Sequence, residues 1–581
     1  MTNRGYLWRV GFVLLSFPLL LAGLGVKLVF LHLGPNESLR AKVAQLRHYE
    51  EHPVVPRGRI LDRHGNILAM DLAMKNIWVN PREILARGHA RFIGLQLARV
   101  LQMDPAMVFS RINRPTRGYE YIKKLVPADT AEQIKAMQMK GVNFDDVSAR
   151  HYPQGVLACH VIGFANLEGQ GGAGIELKWD RYLRGQPGLR VGERDGKRKE
   201  IFDRRVLDIP PEPGANVVLT LDQNLQYLVE QALAKAVERY HAKGAWAIVQ
   251  RVRTGEILAM ASRPGYDLNE YGTTSSNLMM NRAIGYTFEP GSTFKVGVIA
   301  AALNEGTVQP EDVFDCENGH WLYQGKILHD YHPYGRLSVA DILKKSSNIG
   351  AAKVALTLGD RRLESYLREF GFGRPTGIEL PGEEGGILNP RPRWTSISIS
   401  RIPMGHEVGV TALQMLNMLC AVANDGFLMK PTIIKRLEDP QGRVIMESSP
   451  VVLGRPIRED TARLMRRLLA RVTEEGGTGT RARVPGYTVA GKTGTAQKAI
   501  PGGYSDRDNI ASFMGFLPVE QPELAIMVVV DEPQPERTGG VVSAPVFQEI
   551  AAQAVRYLDV PPVVTAQAAP PEERGFDLIG D

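Results

Sequence analysis

The stretch FEPGSTFKVG, Phe288 to Gly297, breaks the chain at a Pro-Gly pair and resumes at once with Ser292. Lys295 follows three residues later, and VGVIAAALNEG continues as an apolar helix. Positions i and i+3 share a helix face, so the Lys295 amine can reach the Ser292 hydroxyl. A serine hydroxyl becomes a nucleophile when a base takes its proton. A lysine can be that base once burial or a second cation lowers its pKa. The neighbours Phe294, Val296 and Val298 predict burial, and the positive field of a helix N-terminus favours negative charge developing there. Read alone, the same residues also fit an N-capping serine beside a solvated lysine, a spacing that chance supplies about once or twice in a chain this long.

Two more stretches change that balance. KKSSNIGAAKVAL sets Ser346 and Asn348 at i and i+2 between two helical runs. A hydroxyl there can relay a proton, and an asparagine amide can hold both a lysine and a carbonyl; a turn or helix start is the plainer reading. VAGKTGTAQK sets Lys492, Thr493, Gly494 and Thr495 on a predicted strand. Glycine in a strand admits another backbone, and the strand edge can pair with an extended peptide whose carboxylate the lysine and threonines bind. An ordinary hairpin is the alternative.

The surroundings fit a large extracytoplasmic protein. The chain has 581 residues, 44% hydrophobic and 23% charged, with a net charge of +7 and no concentrated basic stretch, so nucleic acid is not indicated. Cys159, Cys316 and Cys420 form no C-x-x-C and read as small core residues, although a pairing of Cys316 with either of the others stays open. The twelve histidines form no H-E-x-x-H, and GHE at Gly405 reads as a loop, so no metal site and no cofactor is expected. Arg4 and Arg9 precede an apolar run from Val10 to Leu33, which predicts an uncleaved signal anchor with its short tail in the cytoplasm and the rest outside.

Beyond the anchor, GRILDRHGNILAMDL alternates around His64-Gly65-Asn66 as a hairpin, and ARFIGLQLARVLQM and TAEQIKAMQM read as amphipathic helices. No nucleophile-base pair stands out there, so a binding or positioning module is expected. From about residue 212 a strand, the helix LQYLVEQALAKAVERYHA, two strands around Thr254-Gly255, many helices and three late strands follow. That order predicts an α+β domain with helices around a largely antiparallel sheet. The expected divisions are a tail at 1–9, the anchor at 10–33, a pedestal at 34–215, a catalytic domain at 216–558 and a disordered Pro/Ala-rich tail at 559–581.

In the order S-x-x-K, S-x-N, K-T-G, about 50 and then about 145 residues apart, the three motifs resemble the active-site signature of the penicillin-recognising serine enzymes. RGRILDRHGNILA (Arg57 to Ala69), RHYPQG (Arg150 to Gly155), GGAGIELKWDRYLRG, TGEILAMAS and GGVVSAPVF resemble class B high-molecular-weight penicillin-binding proteins, FtsI-like, across nearly the whole chain. K-T-G stands where some division-specific members carry K-S-G, and no E-D-x-x-F glycosyltransferase motif is present.

The resemblance implies a D,D-transpeptidase that cross-links peptidoglycan stem peptides on nascent glycan strands and is acylated by β-lactams. It implies Ser292 as nucleophile, Lys295 as its base, Ser346 and Lys492 as a relay to the leaving D-alanine, and Asn348 as the group that orients Lys295 and the acyl chain. Thr493 and Thr495 would bind the terminal carboxylate, with Gly494 between them in the same substrate-binding strand, and the backbone N–H groups of Ser292 and Thr495 would form the oxyanion hole. Lys492 gives a second reason for Lys295 to be neutral, since two ammonium groups in one pocket repel. The partners implied are an FtsW-like glycan polymerase of the SEDS family and other division proteins. An elongation role, or a β-lactam-binding scaffold with weak catalysis, is the alternative.

Overall fold

The late strands form the sheet on which the site is built. In the computed structural model, which describes residues 4–33, 37–51, 53, 55–195, 200–500 and 502–562, five strands join in one antiparallel sheet. They are β1 (Gly244–Arg251), β2 (Ile257–Arg263), β3 (Ala490–Ile500), β4 (Gly503–Leu517) and β5 (Leu524–Asp531), in the order β2-β1-β5-β4-β3. β1 and β5 read as near-continuous apolar runs because both faces of the sheet are covered. Helices α1 (Gln223–Arg239) and α5 (Gly539–Tyr557) pack on one face, and α4 (Ala412–Ala423), buried along its whole length, packs on the other. Helices α2 (Lys295–Glu305) and α3 (Asn348–Leu358) pack on each other in the helical layer beyond it. β3 is the edge strand, its register fixed by Lys492 opposite Met514 and Thr495 opposite Ala511.

The chain divides into two compact units, 1–55 with 186–212, and 56–185 with 213–581. In the second, the hairpin expected around His64-Gly65-Asn66 forms between Ile60–Leu61 and Ile67–Val79. The latter strand runs on to pair with Val142–His151 and Glu120–Pro127. The two helices expected there form at Ala90–Leu101 and Ala128–Ala136, over a core of their own around Ile77, Leu97 and Ile134. The strand expected after residue 212, Asn216–Leu219, joins this sheet rather than the five-stranded one: it lies parallel to Ile60–Leu61 and antiparallel to Ile434–Glu438.

Beneath the hairpin lies a buried charge network. Glu176, fully buried, accepts from Arg57 Nε and from Arg150 Nε, both at 2.6 Å. Asp180 completes Arg57 at 2.6 Å and Asp71 completes Arg150 at 3.0 Å. Charges this deep persist because each is paired and hydrogen-bonded.

In the first unit, helix Arg4–Leu33 includes a 27-residue apolar span, Tyr6–His32, within which an 18-residue window has mean hydropathy 2.2. It is long enough to cross a membrane. It begins inside the stretch expected to be a separate tail, since nothing from Arg4 onward breaks a helix until Pro18, which it absorbs. Strand His48–Glu51 pairs with Leu189–Glu193, which pairs with Leu207–Ile209. The tail expected to be disordered lies, from residue 563, outside the described residues.

Candidate active site

Ser292 sits on a 3-10 turn, Gly291–Phe294, rather than at the start of the helix proper; Lys295 is the first residue of α2. The expected contact survives because i and i+3 side chains eclipse in a 3-10 turn. Pro290 leads into the turn and accepts the Thr293 hydroxyl at 2.8 Å. Gly291 has φ +58°, and a Cβ there would lie 2.8 Å from the Thr495 carbonyl oxygen, so this glycine lets the serine turn press against β3.

Lys295 is fully buried and its Nζ is the hub of the site. It lies 3.0 Å from Ser292 Oγ, 2.7 Å from Asn348 Oδ1, 2.6 Å from the Ser346 carbonyl oxygen and 3.3 Å from Ser346 Oγ. Ser346 ends the helix Val339–Lys345 in a left-handed conformation, φ 64°, and Asn348 opens α3. The two therefore come from the turn between two helices, as the sequence suggests. Lys492, on β3 and also fully buried, reaches the same hydroxyl, Ser346 Oγ, at 2.8 Å.

Burial pushes the Lys295 ammonium down to about 7, against the opposing pull of Asp330 and of the Cys316 thiol. Lys492 is also held well below the ordinary lysine range, first by burial and then by the charge of Lys295. Burial, expected from the apolar neighbours of Lys295, is the first cause at both lysines. Lys295 loses its proton near neutrality, as a base for Ser292 requires.

The three motifs line a cleft of about 1320 Å³, with Ser292, Ser346, Asn348, Thr493, Gly494 and Thr495 on its walls. Thr493 and Thr478 share a hydrogen bond at 2.8 Å, and Thr495 Oγ1 accepts the Gly539 N–H at 3.1 Å. Gly494 admits no side chain: a Cβ would meet Ser512 Oγ at 2.4 Å, Thr293 Cγ2 at 2.9 Å and the Pro290 oxygen at 3.0 Å.

Four contributors escaped the sequence reading. Asp330 holds the start of α3. Thr478 belongs to a glycine-rich loop whose composition signals only a turn. His406 belongs to the GHE read as a loop; it is a loop, and its imidazole lines the cleft. Burial pushes His406 down to about 4, with the charges of Arg401 and Lys295 adding to the effect, so it is neutral at pH 7. Tyr504, whose hydroxyl lies 3.0 Å from His406 Nδ1, comes from the β3–β4 hairpin. The cysteines are free and buried, as the core reading expects.

A serine, a depressed lysine on its hydroxyl, and a second lysine and serine behind them, beside an antiparallel sheet edge, define a serine acyl-transfer site. The comparisons place it. Residues 245–552 match the penicillin-binding protein transpeptidase domain and residues 53–219 the penicillin-binding protein dimerisation domain. The chain is 32% identical to the probable peptidoglycan D,D-transpeptidase PenA of Neisseria meningitidis, over 98% of this chain and 95% of that one. It is 34% identical to the peptidoglycan D,D-transpeptidase FtsI of Escherichia coli, over 87% and 84%. It is 35% identical to stage V sporulation protein D of Bacillus subtilis, over 87% and 79%. Among solved structures, a peptidoglycan synthetase from Bifidobacterium adolescentis superposes with a TM-score of 0.73 at 27% identity, covering 89% of this chain and 98% of that one. Penicillin-binding protein 3 of Mycobacterium tuberculosis, complexed with aztreonam, gives 0.69 at 28% identity, over 88% and 98%. The chain belongs to the class B penicillin-binding proteins.

Proposed function

We propose that the protein is a peptidoglycan D,D-transpeptidase that works through an acyl-enzyme on Ser292. The observation that carries this reading is Lys295 Nζ, 3.0 Å from the Ser292 hydroxyl and titrating at about 7. Neutral Lys295 takes the hydroxyl proton as Ser292 Oγ attacks the carbonyl between the two terminal D-alanines of a stem peptide. The backbone N–H groups of Ser292 and Thr495 receive the developing oxyanion. Ser346, in reach of both lysines, passes a proton to the departing D-alanine. Asn348 spends its oxygen on Lys295 and one amide hydrogen on the His329 carbonyl at 2.9 Å, which leaves the second hydrogen for the acyl chain. Thr493 and Thr495 bind the terminal carboxylate. An amine from a neighbouring stem then displaces Ser292 and forms the cross-link. β-Lactams enter by the same first step.

The N-terminal apolar helix anchors the protein in the cytoplasmic membrane with the catalytic domain outside. Division is the proposed setting, with an FtsW-like polymerase of the SEDS family and other division proteins as partners; the similarity to FtsI supports it.

Intact-protein mass spectrometry after incubation with penicillin tests the chemistry. A persistent adduct on the wild type that Ser292→Ala abolishes is the expected result. Rapid turnover of the drug without an adduct would mark a β-lactamase, and neither adduct nor turnover in a folded sample would leave a scaffold. Depletion in the host tests the setting: filamentous cells support division, and rounded cells would assign the protein to elongation.

A further inference from the structure

Two buried lysines over one serine need either a counter-charge or the loss of their protons. Among the described residues, the carboxylate whose field acts on Lys295 is that of Asp330. Asp330 follows the strand Lys326–His329 and lines the cleft, eighteen residues before Asn348. Its own N–H is tied to the Gly319 carbonyl at 3.1 Å.

The carboxylate works at the start of α3. Oδ1 accepts the N–H groups of Asn348 and, at 3.0 Å, of Ile349. Oδ2 accepts the Ser347 hydroxyl at 2.6 Å, and Ser347 Oγ in turn accepts the Gly350 N–H at 2.9 Å. The first three N–H groups of the helix, which have no partner within it, are thus satisfied by one distant carboxylate and one local cap. The residue before Asp330 holds the other end of the same asparagine: Asn348 Nδ2 donates to the His329 carbonyl. His329 and Asp330 together fix Asn348 by backbone and side chain, and so fix the oxygen it presents to Lys295. They also hold the turn in which Ser346 keeps its left-handed conformation, a conformation that costs a non-glycine residue energy and persists only where its neighbours enforce it.

We propose that Asp330 is a positioning residue for acylation: it seats the Ser346–Asn348 turn against the two lysines and supplies the counter-charge that keeps Lys295 an effective base. The inference rests on the acyl-enzyme reading above. The charged and titratable groups that face Lys295 are Lys492 from β3, His406 from the loop after Met404, the Cys316 thiol, and Asp330. Lys492 and His406 are depressed first by burial, with the positive charge of Lys295 adding to it, and the carboxylate of the set is that of Asp330. Its two jobs separate by substitution. Asn keeps the size of the side chain and an oxygen for the helix N–H groups but removes the charge; Glu keeps the charge but lengthens the side chain and misplaces the cap.

The test is the second-order rate of penicillin acylation from pH 5 to 9, on the full chain in detergent, for wild type, Asp330→Asn, Asp330→Glu and Ser347→Ala, with thermal unfolding of each. In Asp330→Asn the acid limb is expected to move down by about one pH unit, because a lost opposite charge disfavours the ammonium, and the plateau to fall with the weaker base. In Asp330→Glu and Ser347→Ala the plateau falls and the limb stays where it is in the wild type. A wild-type limb in Asp330→Asn, or a shifted limb in Asp330→Glu, would overturn the counter-charge. Wild-type plateaus in all three variants would overturn the positioning role. If Asp330→Asn does not fold, the requirement that Asp330→Glu keep its limb while losing its plateau still decides. A wild type that forms no adduct at all would instead remove the acyl-enzyme reading, and this inference with it.

Discussion

Lys295 and Lys492 share one hydroxyl: Ser346 Oγ lies 3.3 Å from the first amine and 2.8 Å from the second. Both amines are fully buried, and burial is the first cause that lowers each of them. Each amine therefore sheds its proton more readily than a solvated lysine does. Ser346 can then receive a proton from one side and pass it to the other, which is the arrangement a relay to a leaving amine needs.

Acylation should switch on with the deprotonation of Lys295. Below about 7 its amine is an ammonium and cannot take the Ser292 proton; above it the amine is free. The rate of penicillin acylation is expected to rise with pH along a limb whose midpoint lies near 7, measured by stopped-time mass spectrometry of the adduct. A midpoint near the ordinary lysine range would mean that Lys295 is solvated in the working enzyme.

Lys295→Arg separates charge from basicity. Arginine keeps the positive charge and the hydrogen-bond donors but does not deprotonate in proteins. If Lys295 is the base, acylation falls by about 10²–10⁴-fold and no pH between 5 and 9 restores it. If the residue merely holds Asn348 and Ser346 in place, arginine would retain much of the rate.

The three motifs were legible because each is local: S-x-x-K, S-x-N and K-T-G are set by spacing within one turn or one strand. The fold was legible for a related reason, since the runs of β1 and β5 and the period of α1 are written in consecutive residues. What pairs at long range was not. KILHD gives no sign that Asp330 caps a helix eighteen residues later, and NVVL gives no sign that its strand lies parallel to Ile60–Leu61 across 157 residues of chain.

Gly494 tests the fit between strand and serine turn. A methyl group there would come within 2.4–3.0 Å of Ser512 Oγ, Thr293 Cγ2 and the Pro290 oxygen. Ser512 lies on the paired strand and Pro290 leads into the Ser292 turn, so relief must push β3 away from the nucleophile. Gly494→Ala is expected to cost about 1–3 kcal/mol of stability and to lower acylation more than ten-fold, with the pH midpoint unchanged. Unaltered acylation would show that the turn and strand can part without harm to the reaction.

Glu176 carries the opposite expectation, a large effect on stability with none on the chemistry. It holds Arg57 and Arg150 at 2.6 Å each and is wholly shielded from water, with Tyr152 at 3.4 Å completing its oxygens. Glu176→Gln keeps the shape and removes the charge, leaving two guanidinium groups with only Asp180 and Asp71 to balance them. A buried pair broken on one side costs about 3–5 kcal/mol, and the retained partners set the expectation at the lower end. The melting temperature should fall by several degrees, while at a temperature where the variant is folded its acylation limb stays near 7. A melting curve equal to that of the wild type would mean that the network is solvated in the protein, and a shifted limb would mean that its charges reach Lys295.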